Sequence, residues 1–476
     1  MKLYLNNIGI ISNSIVEIEG LTIVAGLNQS GKTTIGKILF SIYNAIENIE
    51  LKNQNDKMVY GRRVLIKIFR QSELQLLKGM RNNDDFFLFK YSNAPLPQFS
   101  SIPELVSFLN ETKDSLLLFN SLYNEKSFPE SGKEAFLSFS TTNVTRLIKE
   151  IDDCIGLFAL DPELTSYTEN WIAKTIGQEM CNQVQPIKLE NIESTIRITE
   201  GDSSFVNINI KDKNSYDVTC NRFAKGIDNT FLIDSVLDLD QAYCDIRDND
   251  SVDITDEEMP PEFYKLLNSR NASTHNKKNR NVLSQNQSKT ILEEGEIANT
   301  TKEVFESINK IIPGSFSSTI NGMFYVLDGG TELNVKNLAS GAKLFSMIKI
   351  LLSKGLITNR TLLILDEPEC HLHPRWQRDF AEIITVMVKQ IGVKVLLTTH
   401  NPNFLLALDT FSYKHSLRDL TFFYRTQVGE DNYMAEVKRI ETDDIRSIYA
   451  ELSRPLLELD ALRTELIEKQ EETSEY

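Results

Sequence analysis

The chain has few cysteines, a deficit of positive charge and no long apolar run, and each shortage removes a class of function. Its five cysteines, Cys154, Cys181, Cys220, Cys244 and Cys370, are scattered with no C-x-x-C pair. That spacing argues against a disulfide framework or a zinc site and suits a reducing compartment. Lys and Arg number 51 against 67 Asp and Glu, and the formal net charge of −16 favours solubility without advertising nucleic-acid binding, which needs concentrated cations. No apolar stretch approaches bilayer length, and the opening residues Met1 to Ile10 lack an uninterrupted apolar core with a cleavage site, so a cytoplasmic protein is expected. What is present is an ordinary soluble composition, 41% hydrophobic and 25% charged, in 476 residues, enough for two or three domains' worth of core.

The run Gly26-Leu-Asn-Gln-Ser-Gly31-Lys32-Thr33 fits the phosphate-loop pattern G-x-x-x-x-G-K-[ST]. It follows the apolar stretch Leu21–Ala25, which reads as a buried strand, and precedes apolar residues at helical spacing from Thr34 onward. Backbone N–H groups of such a loop close round phosphates, Lys32 bridges the β- and γ-phosphates, and the Thr33 hydroxyl holds Mg²⁺. Gly26, Asn28, Gln29, Ser30, Gly31, Lys32, Thr33 and Thr34 are therefore the expected ATP-binding residues.

A second constellation lies some three hundred residues on. The apolar run Thr361–Leu365 ends in Asp366-Glu367-Pro368, and Val393–Thr399 ends in His400. Carboxylates that follow an apolar strand project from its C-terminal edge, where ligands bind in open α/β sheets. Asp366 is placed to bind Mg²⁺, Glu367 to polarise the attacking water, and His400 to contact the γ-phosphate. His371 and His373 have metal-like spacing but no second ligand pair nearby, so a zinc site there is not expected.

Between the two stands Asn337-Leu-Ala-Ser340-Gly341-Ala342-Lys343, followed by an amphipathic helix from Leu344. Here the sequence resembles the ATP-binding-cassette superfamily, whose signature loop reads Leu-Ser-Gly-Gly-Gln before a helix, and the order of phosphate loop, signature, Asp-Glu strand and histidine strand matches. The resemblance implies an α/β fold, an ABC-type P-loop ATPase head, in which Ser340, Gly341 and Lys343 complete the nucleotide site of an opposing copy, so that two heads sandwich two ATP molecules. Ala342 and Lys343 depart from the usual Gly and Gln, which leaves the details of that contact open. Transporter cassettes place the signature far closer to the phosphate loop. The long interval, the run from Leu365 to Pro374 and Trp376-Gln377 look instead like the stand-alone RecF/SMC-like ATPases of prokaryotic anti-phage defence, among them the PtuA family of Septu and retron cassettes. That resemblance covers residues 1–45 and about 310–425. It implies a separate HNH nuclease partner of the PtuB kind and, in retron cassettes, a reverse transcriptase with its DNA or RNA product.

The expected organisation is a discontinuous head formed by 1–45, 186–245 and 300–425, a helical insertion at 46–185, an acidic and polar linker at 246–299, and a helical tail at 426–476. No heptad pattern persists in 46–185, so long coiled-coil arms are not expected there. β-like stretches lie at Ser194–Thr199, Phe205–Ile210 and Thr230–Asp234. A magnesium-sensing glutamine belongs in the insertion, with Gln71, Gln75, Gln178 and Gln183 competing. The basic cluster Arg62, Arg63, Lys67 and Arg70 reads as a solvated helix face, and Lys277-Lys278-Asn-Arg280 as linker. Only 76 residues follow His400, among them a strand at Leu420–Arg425, a hairpin and a helix from Asp443. A nuclease domain of the TOPRIM kind needs more chain, so no nuclease site is expected. Two functions fit: an ATPase that licenses a partner nuclease, or a RecF/SMC-like repair or replication ATPase that clamps DNA directly. Acidity and the missing arms favour the first.

Overall fold

The computed structural model describes residues 1–70, 96–97, 99–124, 141–159, 164–188, 192–212, 215–222, 225–234, 302–319, 322–327, 330–429, 433–441 and 444–474. The 246–299 linker, its basic cluster, Cys244, Gln71 and Gln75 lie outside them. Two compact units emerge, one comprising Met1–Glu47 and Trp171–Tyr476, the other Asn48–Asn170.

The larger unit is built on strands β1 (Lys2–Ile8), β2 (Ile11–Glu17) and β3 (Leu21–Ala25), helix α1 (Lys32–Ile46), then β4 (Ser194–Glu200), β5 (Ser203–Asp212), β6 (Ser215–Cys220) and β7 (Asn229–Ile233). The smaller unit holds α2 (Ile49–Arg70), α3 (Ile102–Asn124) and α4 (Thr141–Ala159), packed through Leu65, Ile68, Leu105, Leu109, Leu147 and Ile151. Helix α5 (Leu164–Glu179) carries Ile172 and Ile176, one turn apart, into a core cluster of the larger unit. The chain from Trp171 therefore belongs with the head rather than with the insertion expected to run to 185. Gln178 and Gln183, at the end of this segment, are exposed.

A helix at residues 302–311, α6, precedes a small antiparallel sheet of β8 (Ser315–Thr319), β9 (Gly322–Val326) and β10 (Glu332–Asn334). There follow α7 (Ser340–Ser353), β11 (Thr361–Asp366), α8 (Pro374–Ile391), β12 (Lys394–Thr399), α9 (Pro402–Lys414), β13 (Thr421–Val428), β14 (Ala435–Ile440) and α10 (Ile445–Ser474).

Eleven strands form one mixed sheet in the order β6-β5-β4-β1-β2-β14-β13-β3-β12-β11-β7. The five strands from β13 to β7 are parallel, and β3, β11 and β12 are almost wholly buried, as strands covered on both faces must be. Alternation divides them: Leu363, Leu365, Val395 and Leu397 meet α7, α8 and α9, whereas Leu362, Ile364 and Leu396 meet Ile35, Ile38 and Ile42 of α1. β13 and β14 lie between β3 and β2 within this sheet, so residues 426–428 and 435–440 are strand and not the helical tail expected from 426. β13 is buried on both faces: Phe422 and Tyr424 join the core shared with α1, and Phe423 joins the core on the opposite face.

Candidate nucleotide-binding site

In the parallel half of the sheet the strands end level with one another. Ala25 pairs with Thr399, Thr398 with Asp366, and Leu365 with Ile233, so the residues just after β3, β12, β11 and β7 emerge along one edge. The phosphate loop turns there from β3 into α1. Gly31 caps α1 at φ 85°, with no side-chain cap, which leaves the first-turn N–H groups directed at any anion held by the loop. Gly26 is required by a close approach, since a Cβ would lie 2.0 Å from Thr426 Oγ1. Thr426 in turn shares a hydrogen bond with Ser30, whose hydroxyl donates to the Leu27 carbonyl at 2.6 Å. Ser30 is buried, Asn28, Gln29 and Thr33 are exposed, and Thr34 is intermediate.

The loop and the acidic strand end are joined directly. The Thr33 hydroxyl donates to Asp366 Oδ2 at 2.8 Å. Lys32, with only 4% of its side chain exposed, donates to the carbonyls of Gly26 at 3.1 Å and Leu27 at 2.8 Å and stands 3.4 Å from Glu367 Oε1. The same carboxylate oxygen lies 3.1 Å from His400 Nδ1, an ion-pair distance at an angle that is not that of a hydrogen bond. Burial alone would raise the pKa of Glu367, but the contact and charge of His400, then Lys32, hold it below the usual carboxylate range. Glu367 adopts a left-handed backbone, φ 46° and ψ 50°, uncommon for a residue with a side chain and often found where function fixes the geometry.

Several supporting residues were not singled out from sequence. Thr398, which is buried, accepts the Glu367 N–H at 3.0 Å and donates to Asp366 Oδ1, bracing both acids. Glu369, 1% exposed, accepts from Thr399, while its Oε2 has no hydrogen-bond partner; burial pushes its pKa up to about 7 against that hydrogen bond. Burial and the neighbouring acids raise the Cys370 thiol to about 11. Asp234 follows β7, one residue beyond the Ile233–Leu365 pair, which brings a third acid to the same edge. The only sequence signal for Thr398 and Thr399 is polarity at the end of an apolar strand. For Thr426 there is none, because its partners lie some four hundred residues away.

The remaining candidates fall elsewhere. Ser340 opens α7 with intermediate exposure, Gly341 is buried, and Lys343 is 5% exposed. A Cβ on Gly341 would meet the Trp376 ring at 2.9 Å and Leu372 at 3.0 Å, so this glycine lets α7 close onto the start of α8. His373 caps α8, accepting the Arg375 N–H at 3.3 Å, and His371 is exposed. In the basic cluster Arg62 and Arg63 are exposed on α2, and Lys67 pairs with Glu150 at 2.8 Å.

The family described as AAA domain, putative AbiEii toxin, Type IV TA system matches residues 169–407, half of the chain. That span contains Ser340 to Lys343, Asp366, Glu367 and His400 and leaves the phosphate loop outside. Among curated proteins, the zinc import ATP-binding protein ZnuC of Buchnera aphidicola subsp. Schizaphis graminum is 33% identical over 73 residues, 15% of this chain and 29% of that protein. The match thus spans under a third of the relative's length. Among solved structures, the SMC head domain from Thermotoga maritima aligns with a TM-score of 0.35 at 10% identity, covering 92% of this chain and 98% of the other. An Smc head from Pyrococcus furiosus bound to the C-terminal domain of ScpA gives 0.39 at 11%, covering 95% and 98%. Among the described residues no helix is long and apolar enough to cross a membrane.

Proposed function

The chain belongs to the family described as AAA domain, putative AbiEii toxin, Type IV TA system, and from that premise we propose that it binds and hydrolyses ATP as a subunit of an anti-phage defence complex. The observation that carries the reading is the meeting of Lys32, Thr33, Asp366, Glu367 and His400 at one sheet edge. Phosphoryl transfer asks a protein mainly for positioning and charge, and this set supplies both. Lys32 exchanges its contacts with loop carbonyls and Glu367 for the β- and γ-phosphates. Thr33 and Asp366 offer hard oxygen donors 2.8 Å apart, the donor type Mg²⁺ takes, and Mg²⁺ held there neutralises phosphate charge. Glu367 accepts the proton of the attacking water. Its pKa is depressed by the contact with His400 and by Lys32, so phosphates that draw these two side chains away make it a stronger base at the moment nucleotide arrives.

Two copies form an ATP-dependent homodimer, with Ser340, Gly341 and Lys343 of each facing the nucleotide of the other. The resemblance to the PtuA family supports a cytoplasmic role in restraining or licensing a separate HNH nuclease of the PtuB kind, with a reverse transcriptase and its product where the cassette is a retron. The net charge of −16 supports indirect rather than autonomous DNA contact. The test is co-purification from the native operon and a nuclease assay with ATP, ADP or no nucleotide. Cleavage is expected only with the partner present, gated by nucleotide and altered by Glu367→Gln. Cleavage by the purified chain alone, or cleavage indifferent to nucleotide, overturns the reading.

A further inference from the structure

We propose that residues 454–470 of α10 form a self-association site that pairs antiparallel with the same segment of a second copy of this chain, independently of nucleotide. The first turns of α10 are fixed to the head: Ile445 and Ile448 are buried in its core, Tyr449 and Leu452 pack against it, and Arg425 pairs with Glu451 at 2.7 Å. From Arg454 to Gln470 every residue is exposed. These seventeen residues extend roughly 25 Å at 1.5 Å each. A helix of that length standing in water is marginal on its own, and the i,i+4 pairs Arg454–Glu458 and Glu465–Lys469 add only a few tenths of a kcal/mol each.

One face of this exposed segment is nevertheless apolar. Leu456, Leu459, Leu462, Leu466 and Ile467 are between 45% and 70% exposed, and four of them line one shallow groove with Arg463 and Gln470. At 100° per residue these five and Leu452 fall within one stripe about 140° wide, broad enough for a packed seam. Leu452, Leu456, Leu459, Arg463 and Leu466 repeat at intervals of four, three, four and three, the spacing of a helix that packs on another helix.

Charge selects the occupant and its direction. Arg463 lies inside the stripe, so parallel pairing of two copies would set it against its own equivalent, like against like. Antiparallel pairing about a two-fold axis between Ala461 and Leu462 instead levels Arg463 with Asp460 of the second copy, twice by symmetry, and Leu456 with Ile467. The segment holds three cations, Arg454, Arg463 and Lys469, against four anions, Glu458, Asp460, Glu465 and Glu468. It is almost neutral in a chain of net charge −16, and so is a stretch where two copies can meet without strong repulsion.

The experiment measures self-association of the full chain by analytical ultracentrifugation, freed of nucleotide by apyrase and EDTA so that head closure does not contribute. The wild type should be dimeric at micromolar concentration. Leu459→Glu with Leu466→Glu, Arg463→Asp alone and Asp460→Arg alone should each weaken the dimer at least about tenfold. The exchanged pair, Asp460→Arg with Arg463→Asp, should recover wild-type affinity to within about threefold, because it restores opposite charges across the two-fold axis. Unchanged thermal unfolding would show that the head remains folded in every variant. A monomeric wild type, dimers insensitive to the stripe variants, or failure of the exchanged pair to recover overturns the proposal. So does a stripe variant that keeps its self-association and instead loses a co-purified operon partner, since the occupant is then another protein.

Discussion

Replacing Thr398 by Val removes one hydroxyl from a buried position without changing the volume, and that hydroxyl carries two separate duties. It accepts the N–H of Glu367 at 3.0 Å, which pins a residue in a left-handed conformation that costs about 1–3 kcal/mol to hold. It also donates to Asp366 Oδ1, whose other oxygen takes the Thr33 hydroxyl at 2.8 Å. Valine therefore leaves a backbone donor without a partner, at a cost of about 1–3 kcal/mol, and frees one side of the carboxylate proposed to hold Mg²⁺. Loss of an outer-shell partner of this kind lowers metal affinity or activity by about 10–100-fold. Steady-state ATP hydrolysis titrated with Mg²⁺ should show a higher Mg²⁺ requirement and lower turnover. Binding of a fluorescent ATP analogue should persist, because Lys32 and the loop are untouched, and Thr398→Ser should behave as wild type. Wild-type turnover and Mg²⁺ dependence in Thr398→Val would refute the bracing role.

Gly26→Ala should destabilise the chain by about 1–3 kcal/mol or more and weaken ATP binding, since its Cβ would meet Thr426 Oγ1 at 2.0 Å and the Thr426 carbonyl at 2.9 Å. Adding Thr426→Ala should relieve only part of the loss, as the carbonyl remains; thermal unfolding measures both. Glu369 has a folded pKa of about 7, above its unfolded value, so its own contribution to wild-type stability should fall as pH rises from about 4.5 through 7. Glu369→Gln keeps an acceptor for Thr399 and has no such slope, so its advantage over wild type should grow across that window to about 3 kcal/mol, read from urea unfolding at pH 5 and pH 8; a constant difference contradicts it. Gly341→Ala should lower the melting temperature by forcing Trp376 away, and Trp376→Leu in the same chain should recover part of it if packing is the cause.

The phosphate loop was legible because its pattern, the preceding apolar strand and the following helix are contiguous, and β3 and α1 bracket it at Leu21–Ala25 and Lys32–Ile46. Asp366, Glu367 and His400 were legible for a similar reason, since each directly follows an apolar run that becomes a parallel strand. The supports were not. Thr398 reaches back across thirty residues and Thr426 across nearly four hundred, and hydrogen bonds of that separation leave no local periodicity. The insertion of β13 and β14 between β2 and β3 was hidden too, because a short alternating strand reads the same in a hairpin of its own as in the middle of a sheet. The stripe on α10 escaped for the opposite reason: its apolar residues look like core until the structure leaves Leu456 70% exposed.

The most direct test compares ATP binding and hydrolysis in Glu367→Gln and Lys32→Ala. If Glu367 is the base beside an intact phosphate site, Glu367→Gln should bind ATP at least as tightly as wild type, its Lys32 released from a carboxylate, while turnover falls by about 10²–10⁴-fold. Lys32→Ala should instead lose affinity by at least about tenfold, since the missing charge-assisted bonds are worth about 1.5–3 kcal/mol. Equal loss of binding in the two variants, or wild-type turnover in Glu367→Gln, would contradict the assignment.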